Sequence, residues 1–171
     1  ATLLEHEYKV AKKTPGDINE HLETLYEYAC KCDHITELGM RSSMSSRAFL
    51  HAHKTLRSYD MVQNEKVQIL FYAASKLFDA RYHYGNSLYL EIEPTDLLFI
   101  DTNHSYSQLS KELELHSNKV GKYIILHDTV IYGNELLPAF IEFMDKSNGE
   151  WVMDRHYKNN NGLTILKRKD L

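Results

Sequence analysis

Two residues able to do chemistry, Asp101 and His104, follow a run of four apolar residues at 97–100. A short continuous apolar run is typical of a strand that is buried on both faces of a parallel sheet. In open parallel sheets, ligands bind beyond the carboxyl ends of the strands. Histidine titrates near neutral pH, and a nearby carboxylate can orient it and raise its pKa. We therefore predict that His104 is a general base and that Asp101 assists it or binds a metal ion.

A second acid, Asp128, follows another apolar run at 124–126, with His127 between them. If the two strands are neighbours, Asp101 and Asp128 reach the same edge of the sheet and could bind one divalent cation such as Mg²⁺. His127 would be a softer third ligand, which favours Mn²⁺, Fe²⁺ or Zn²⁺ over Mg²⁺. A structural histidine at a strand end is the alternative interpretation of His127, and a loop cap is the alternative for Asp128.

The segment 37–45 (ELGMRSSMS) follows a predicted strand and leads into a helix. Gly39 permits a tight turn, and a helix N-terminus with serine hydroxyls suits a carboxylate or phosphate. Asp60 ends the next strand, at about the spacing where an acid binds ribose in dinucleotide sites. The glycine-rich fingerprint of those sites is missing, so a nicotinamide cofactor is the weaker prediction. Glu37 and Asp60 could instead cap a turn and a helix.

Strands alternate with helices along the chain, which predicts an α/β fold with a parallel sheet. A capping box at Asp17 and Glu20 predicts a helix start. An Asn-Gly turn at 161–162 predicts a terminal hairpin, so the last strand runs antiparallel. Residues 1–16 are an arm or a short lead-in helix, and residues 17–171 form one domain. The predicted helices are 18–31, 47–53, 64–77, 106–117 and 134–146, and the strands are 34–39, 55–60, 80–84, 96–101, 122–127, 151–157 and 163–167.

Composition narrows the class of protein. The chain has 171 residues, with 43% hydrophobic and 26% charged residues, which is ordinary for a globular domain. A net charge of −4 gives no indication of a nucleic-acid or acidic-membrane partner. We find no apolar run near the roughly 20 residues that span a bilayer, and no signal-peptide core at the N-terminus. Cys30 and Cys32 are too close to staple the fold, which favours a reducing, cytoplasmic setting.

The order of these features resembles the class I S-adenosylmethionine-dependent methyltransferases. The resemblance implies a Rossmann-like, doubly wound sheet with strand order 3-2-1-4-5-7-6 and strand 7 antiparallel, and it implies S-adenosylmethionine as cofactor. It rests on Glu37-x-Gly39, the acid ending strand 2, Gly85-Asn86-Ser87 after strand 3 and the acid ending strand 4. The cofactor contacts that it implies are Glu37, Gly39, Met40, Arg41, Ser43, Ser45, Asp60, Asn86, Ser87 and Asp101.

Residues 37–45 resemble the E-L-G-x-x-x-G-x-S run of small-molecule O-methyltransferases. This implies that Ser45 binds the methionine carboxylate of the cofactor and that Asp60 binds its ribose hydroxyls. Asn86 stands where many relatives carry an aspartate near the adenine, so the resemblance implies that Asn86 contacts the purine edge. Ser43 replaces the usual glycine, and its Cβ narrows the space for the methionine end.

Two further segments, 99–106 (FIDTNHSY) and 124–129 (IILHDT), resemble the macrocin-type sugar O-methyltransferases and the cephalosporin-hydroxylase-like proteins. Relatives carry F-I-D-G-D-H-S-Y and L-H-D-T. The resemblance implies methylation of a hydroxyl on a small molecule or sugar, with His104 as base and assistance from Mg²⁺ or Mn²⁺. In metal-dependent relatives an acid before the second aspartate, or an asparagine after it, is the third ligand. Here His127 and Thr129 hold those places.

A non-catalytic binding or assembly module with the same fold is the alternative function. Few residues remain for a domain that would cover the acceptor. We therefore expect an open site, or one that a second copy of the chain completes.

Overall fold

The computed structural model describes residues 2–41 and 43–171. None of the helices in these residues is both long and apolar enough to cross a membrane. The helices are α1 (Leu3–Lys13), α2 (Leu22–Ala29), α3 (Met44–His51), α4 (Glu65–Ser75), α5 (Tyr106–His116) and α6 (Gly133–Lys146). The strands are β1 (His34–Leu38), β2 (Thr55–Asp60), β3 (Ala80–Tyr84), β4 (Thr95–Ile100), β5 (Val120–His127), β6 (Trp151–Tyr157) and β7 (Leu163–Arg168).

The seven strands form one sheet in the order β3-β2-β1-β4-β5-β7-β6, which confirms the predicted fold class. Strands β1 to β5 pair in parallel, while β7 pairs antiparallel with both β5 and β6. Leu38 is in register with Ile100, and Ile100 is in register with Leu126. The carboxyl ends of the three central strands therefore meet at one edge of the sheet.

Helices cover both faces of the sheet, which explains the unbroken apolar runs in the central strands. Leu97 and Phe99 in β4 belong to a core shared with α1, α2, α3 and α4. Leu98 and Ile100 in the same strand belong to a second core, shared with α5 and α6. Because successive side chains of a strand point to opposite faces, both faces need apolar residues.

The first residues form the lead-in helix α1. Thr2 caps it, and its hydroxyl oxygen accepts a hydrogen bond from the backbone N–H of Glu5 (3.2 Å). Leu4, Tyr8 and Ala11 are buried in the core beside α2 and α3. This segment is therefore packed against α2 and α3.

The predicted capping box at Asp17 and Glu20 is wrong. A short 3-10 turn, Asn19–His21, precedes α2, and its first cap, Ile18, makes no side-chain hydrogen bond. The Asn19 side chain instead accepts from the backbone N–H of Gly16 (3.1 Å). The backbone N–H of Glu20 donates to Asn160 in the loop before β7 (2.9 Å). A contact 140 residues away in sequence has replaced the local cap.

The helix predicted to begin at Arg47 begins at Met44. The loop before it is tightly wound, with positive φ at Gly39 (83°), Arg41 (41°) and Ser43 (71°). At Gly39, a Cβ would lie 2.2 Å from the backbone oxygen of Asp101. Only glycine therefore permits this close approach of the ends of β1 and β4.

We expect Gly39→Ala to lower the free energy of unfolding by about 3 kcal/mol, because it adds a backbone clash to the strain of a positive φ. Gly149 is a matched control, since it has φ +81° but a Cβ added there would meet nothing within 4 Å. Gly149→Ala should lose only about 1 kcal/mol. Urea unfolding measures both variants, and equal losses would contradict the close approach.

Candidate active site

A cavity of about 340 Å³ lies at the carboxyl edge of the sheet, beyond β1, β2, β3 and β4. This is where open parallel sheets bind ligands. Of the residues predicted to contact a cofactor, the cavity is lined by Gly39, Arg41, Asp60, Asn86, Ser87 and Asp101. Leu38, Tyr59, Met61, Gly85, Thr102, Asn103 and Gln108 complete the lining.

Asp60 organises the loop on one side of this cavity. Its Oδ2 accepts hydrogen bonds from the backbone N–H groups of Met40 (2.8 Å) and Arg41 (2.9 Å). Its Oδ1 accepts from the backbone N–H of Val62 (3.1 Å). A carboxylate can accept about four hydrogen bonds, so Asp60 retains capacity for a ligand in the cavity.

Next to the cavity, four ionisable side chains converge: Asp101, His104, His127 and Asp128. The Nε2 of His104 lies 2.5 Å from Oδ2 of Asp128 and 3.7 Å from Oδ1 of Asp101. The Nδ1 of His127 lies 3.3 Å from Oδ2 of Asp101 and 3.4 Å from Oδ2 of Asp128. The structure therefore brings together the predicted base and all three predicted metal ligands.

Backbone carbonyls fix the orientation of His127. Its Nε2 lies 2.9 Å from the carbonyl oxygen of Asp17 and 3.0 Å from that of Asn160. Since a carbonyl only accepts, this nitrogen carries the proton and donates it. The Nδ1 is left facing the carboxylates of Asp101 and Asp128. A carbonyl behind the ring commonly orients a metal-binding histidine in this way.

The backbone of Asp128 is strained. This residue has φ +65° although it is not glycine, and its backbone N–H donates to Gly162 (3.0 Å). Its Oδ1 accepts from the side-chain amide of Asn161 (3.1 Å). Such strain in a buried polar residue is characteristic of functional sites.

The ring of Tyr132 stacks on the ring of His104, with the two centroids 4.2 Å apart.

Charge pairing dominates the titration of the cluster. The nearby carboxylates of Asp101 and Asp128 raise the pKa of His104 to about 9, against the opposing effect of burial. Burial lowers the pKa of His127, but the same two carboxylates outweigh it and raise the pKa to about 10. Burial raises the pKa of Asp128, but the nearby imidazoles of His104 and His127 outweigh it and bring the pKa well below its usual range. The site therefore strongly favours positive charge beside its carboxylates.

The inward-facing atoms of the cluster fit a divalent cation. Asp101 Oδ1, His104 Nε2, His127 Nδ1 and Asp128 Oδ2 are buried and lack a well-aligned hydrogen-bond partner in residues 2–41 and 43–171. Ligand atoms of Asp101, His104 and Asp128 lie within 4.8 Å of one another, and so do those of Asp17, His127 and Asp128. Mixed oxygen and imidazole donors favour Mn²⁺, Fe²⁺ or Zn²⁺.

Comparison with solved structures identifies the architecture. The SAH-bound methyltransferase PaMTH1 of Podospora anserina matches with a TM-score of 0.71 and 13% identity, over 98% of this chain and 88% of that one. A methyltransferase from Geobacter sulfurreducens matches with a TM-score of 0.70 and 15% identity, over 98% and 90%. The fold is that of the class I methyltransferases.

A third methyltransferase structure is similar over a smaller part. The O-methyltransferase TomG of Streptomyces achromogenes, solved with SAM, matches with a TM-score of 0.64 and 15% identity, over 88% of this chain and 80% of that one. Neither a scan against protein-family models nor a search of curated proteins found a match. At these identities the likeness shows the methyltransferase fold.

Within this methyltransferase fold, Glu37 and Ser45 are turned to each other. Glu37 is fully buried, and its carboxyl group accepts from the hydroxyls of Ser45 (2.5 Å), Ser46 (2.8 Å) and Ser58 (2.6 Å). Neither residue lines the cavity, and neither do Met40 and Ser43, which are also buried. The Ser45 hydroxyl therefore already donates its hydrogen to Glu37.

Sequence reasoning missed a second buried carboxyl group, Glu112 in α5. Its Oε2 accepts from the hydroxyls of Ser87 (2.5 Å) and Thr102 (2.6 Å) and from the amide of Gln108 (3.3 Å). Burial raises its pKa, against these hydrogen bonds. The available signal was its position on the face of α5 that carries the apolar residue Leu109.

No pattern in the sequence indicated that Asp17 reaches the site. It was predicted as a helix cap, yet its carboxylate lies near His127 and Asp128, and its carbonyl oxygen meets the His127 ring. The Asp17 carboxylate also lies 4.0 Å from Arg41 on the cavity rim. Only the packing of the N-terminal segment against the loop before β7 places it there.

We expect stability to depend on pH through Glu37. Burial, partly offset by the three serine hydroxyls, raises its pKa from 4.5 to about 7. Its contribution is therefore complete below about pH 4.5 and lost as pH rises towards 7, a difference of about 3 kcal/mol. Glu37→Gln should remove this dependence, as measured by urea unfolding between pH 5 and 8. Glu114→Gln changes an exposed acid and should keep the pH dependence of the wild type. Parallel curves of stability against pH for the wild type and Glu37→Gln would contradict the role of Glu37.

Proposed function

We propose that this chain is an S-adenosylmethionine-dependent O-methyltransferase that acts on a hydroxyl of a small molecule or sugar. One observation carries the proposal. Asp101 lines the 340 Å³ cavity and also lies beside His104 and His127 in the ionisable cluster. A methyl donor in the cavity would therefore end next to a group that can take a proton.

The residues that line the cavity offer a partner to the ribose, the adenine and the methionine end of the cofactor. Asp60 offers carboxylate oxygens to the ribose hydroxyls at the end of β2. Asn86 and Ser87 line the cavity after β3, and the adenine would lie against them. Arg41 also lines the cavity and offers a cation to the methionine carboxylate, because the Ser45 hydroxyl is bound to Glu37.

Methyl transfer needs a deprotonated oxygen in line with the methyl carbon. In the proposed reaction His104 would take the proton of the acceptor hydroxyl, and Asp128 and Asp101 would stabilise the protonated ring. When bound, S-adenosylmethionine would supply the methyl group: the carbon–sulfur bond of its sulfonium would break as the oxygen–methyl bond forms, with S-adenosylhomocysteine as the second product. Because the pKa of His104 is raised to about 9, its basic form predominates only above that pH.

A divalent metal would assist this step. Asp101, Asp128 and His127 would hold it, and a bound cation lowers the cost of deprotonating a hydroxyl. Of the two predicted ions, the imidazole donor favours Mn²⁺ over Mg²⁺.

The acceptor side of the cluster is open and apolar. Val130 and Ile131 follow β5 and are 44% and 56% exposed. Tyr132, which stacks on His104, is 39% exposed. These side chains suit the apolar face of a ring-shaped acceptor or contact with a second copy of the chain.

A non-catalytic binding module is the second candidate. It is favoured by the loop at 39–43, where Ser43 adopts a positive φ in place of the family's glycine, and by the engagement of Ser45 with Glu37. This candidate requires cofactor binding without turnover, or no binding.

For the catalytic proposal, we expect the wild-type protein to bind S-adenosylhomocysteine in calorimetry and to methylate a member of a panel of catechols and sugars. His104→Ala should keep this binding but transfer methyl groups at least about 100-fold more slowly, because the proton acceptor is lost. His6→Ala is the control, since His6 is exposed and remote from the cluster. A wild-type protein that does not bind S-adenosylhomocysteine at millimolar concentration refutes the function, and full activity in His104→Ala refutes the base.

Mn²⁺ should raise the melting temperature of the wild-type protein through binding at the cluster. Asp128→Asn keeps the size of the side chain and tolerates a positive φ, but removes a charged ligand. We expect at least about tenfold weaker Mn²⁺ binding in this variant by calorimetry. Asp145→Asn changes an exposed aspartate and should behave as the wild type. An unchanged Mn²⁺ affinity in Asp128→Asn would place the ion elsewhere.

A further inference from the structure

Two side-chain amides, Asn86 and Gln108, line the 340 Å³ cavity. Asn86 follows β3, and Gln108 lies in the first turn of α5. An amide can present either a donor or an acceptor to a ligand, so its recognition depends on which end is already bound. The hydrogen bonds of the protein settle this for both side chains.

Gln108 is oriented by Glu112. The Nε2 of Gln108 donates to Oε2 of Glu112 (3.3 Å) and to Oγ of Ser87 (3.2 Å). The same Oε2 accepts from the hydroxyls of Ser87 and Thr102, so it acts as an acceptor throughout. The amide must therefore turn its NH₂ group to Glu112. Its carbonyl oxygen, which accepts no hydrogen bond within residues 2–41 and 43–171, is left for a ligand.

Asn86 is oriented in the opposite sense. Its Oδ1 accepts from the backbone N–H of Leu88 (2.9 Å), and that group can only donate. The carbonyl end of this amide is therefore occupied by the turn. Its NH₂ group is the end that remains for a ligand.

The remaining acceptor of Gln108 and the remaining donor of Asn86, both in the cavity lining, are complementary to the Watson–Crick edge of adenine. Adenine has an exocyclic NH₂ donor beside the ring acceptor N1. Hypoxanthine and guanine have the reverse pattern, an oxygen acceptor beside an N1–H donor. A 6-oxopurine would therefore place its O6 acceptor against the carbonyl oxygen of Gln108 and its N1–H donor against the NH₂ group of Asn86. Unpaired polar groups of this kind reject a ligand strongly.

We infer that Gln108 and Asn86 read the Watson–Crick edge of the cofactor's adenine, and that Glu112 is a positioning residue that fixes the Gln108 amide. This inference rests on the proposed function, because it requires S-adenosylmethionine in the cavity. Glu112 is fully buried, and three donors from the cavity wall bind its Oε2. A carboxyl group so placed selects one of the two amide orientations of Gln108.

The test compares calorimetric binding of S-adenosylhomocysteine with that of S-inosylhomocysteine, which differs at the purine edge. The wild-type protein should prefer the adenosyl compound by about 10- to 100-fold. Glu112→Gln introduces an amide that can itself donate, so the Gln108 amide can reverse and the preference should fall to within about threefold of unity. A change that only loosened the fold would weaken the binding of both compounds and leave the ratio of their affinities unchanged.

Two further variants make the test specific. Glu114→Gln lies two positions along the same helix with an exposed side chain, and it should keep the wild-type ratio. Gln108→Met keeps the length of the side chain but lacks the amide, and it should lose the preference even if Glu112→Gln does not fold.

The outcomes separate the two proposals. Binding of both compounds with equal affinity by the wild type overturns the adenine reading and leaves the methyltransferase proposal standing. A wild-type preference that survives in Gln108→Met also overturns it. Failure of the wild type to bind either compound refutes the proposed function and this inference together.

Discussion

The pairing of Asp101 and Asp128 with His104 and His127 is the interaction on which the active edge depends. Two carboxylates this close and this buried would repel each other and lose hydration without positive partners. Protonated imidazoles or a divalent cation meet this requirement. Because each carboxylate faces both histidines, losing any member leaves a buried charge uncompensated. The four side chains therefore depend on one another electrostatically.

His127 connects the cluster to two other segments of the chain. Its second nitrogen donates to carbonyls of the N-terminal segment and of the loop before β7, so Asp17 and Asn160 are held together by one ring. The strained backbone of Asp128 is fixed in the same loop through Asn161 and Gly162. Packing of α1 onto the core and closure of the terminal hairpin thus both serve the geometry of the cluster.

Around the 340 Å³ cavity, buried carboxyl groups are instead stabilised by neutral hydrogen-bond donors. Glu37 accepts hydrogen bonds from three serine hydroxyls and so fixes the start of α3. Glu112 accepts hydrogen bonds from three residues that line the cavity, Ser87, Thr102 and Gln108. Both have a raised pKa because burial outweighs their hydrogen bonds. Gly39 lets the strand ends meet closely enough for the cavity and the cluster to share Asp101.

The sequence alone determined the order of strands and helices, since apolar runs and turn residues act over short distances, and it identified Asp101, His104, His127 and Asp128 because strand ends are readable locally. Resemblance supplied the strand order, which the structure confirms. Only the tertiary structure decided that Asp17 reaches the cluster, that Ser45 is bound to Glu37 and that Glu112 orients Gln108. These contacts join segments distant in the chain, and a buried polar group takes whichever partner the packing provides, which no local pattern encodes.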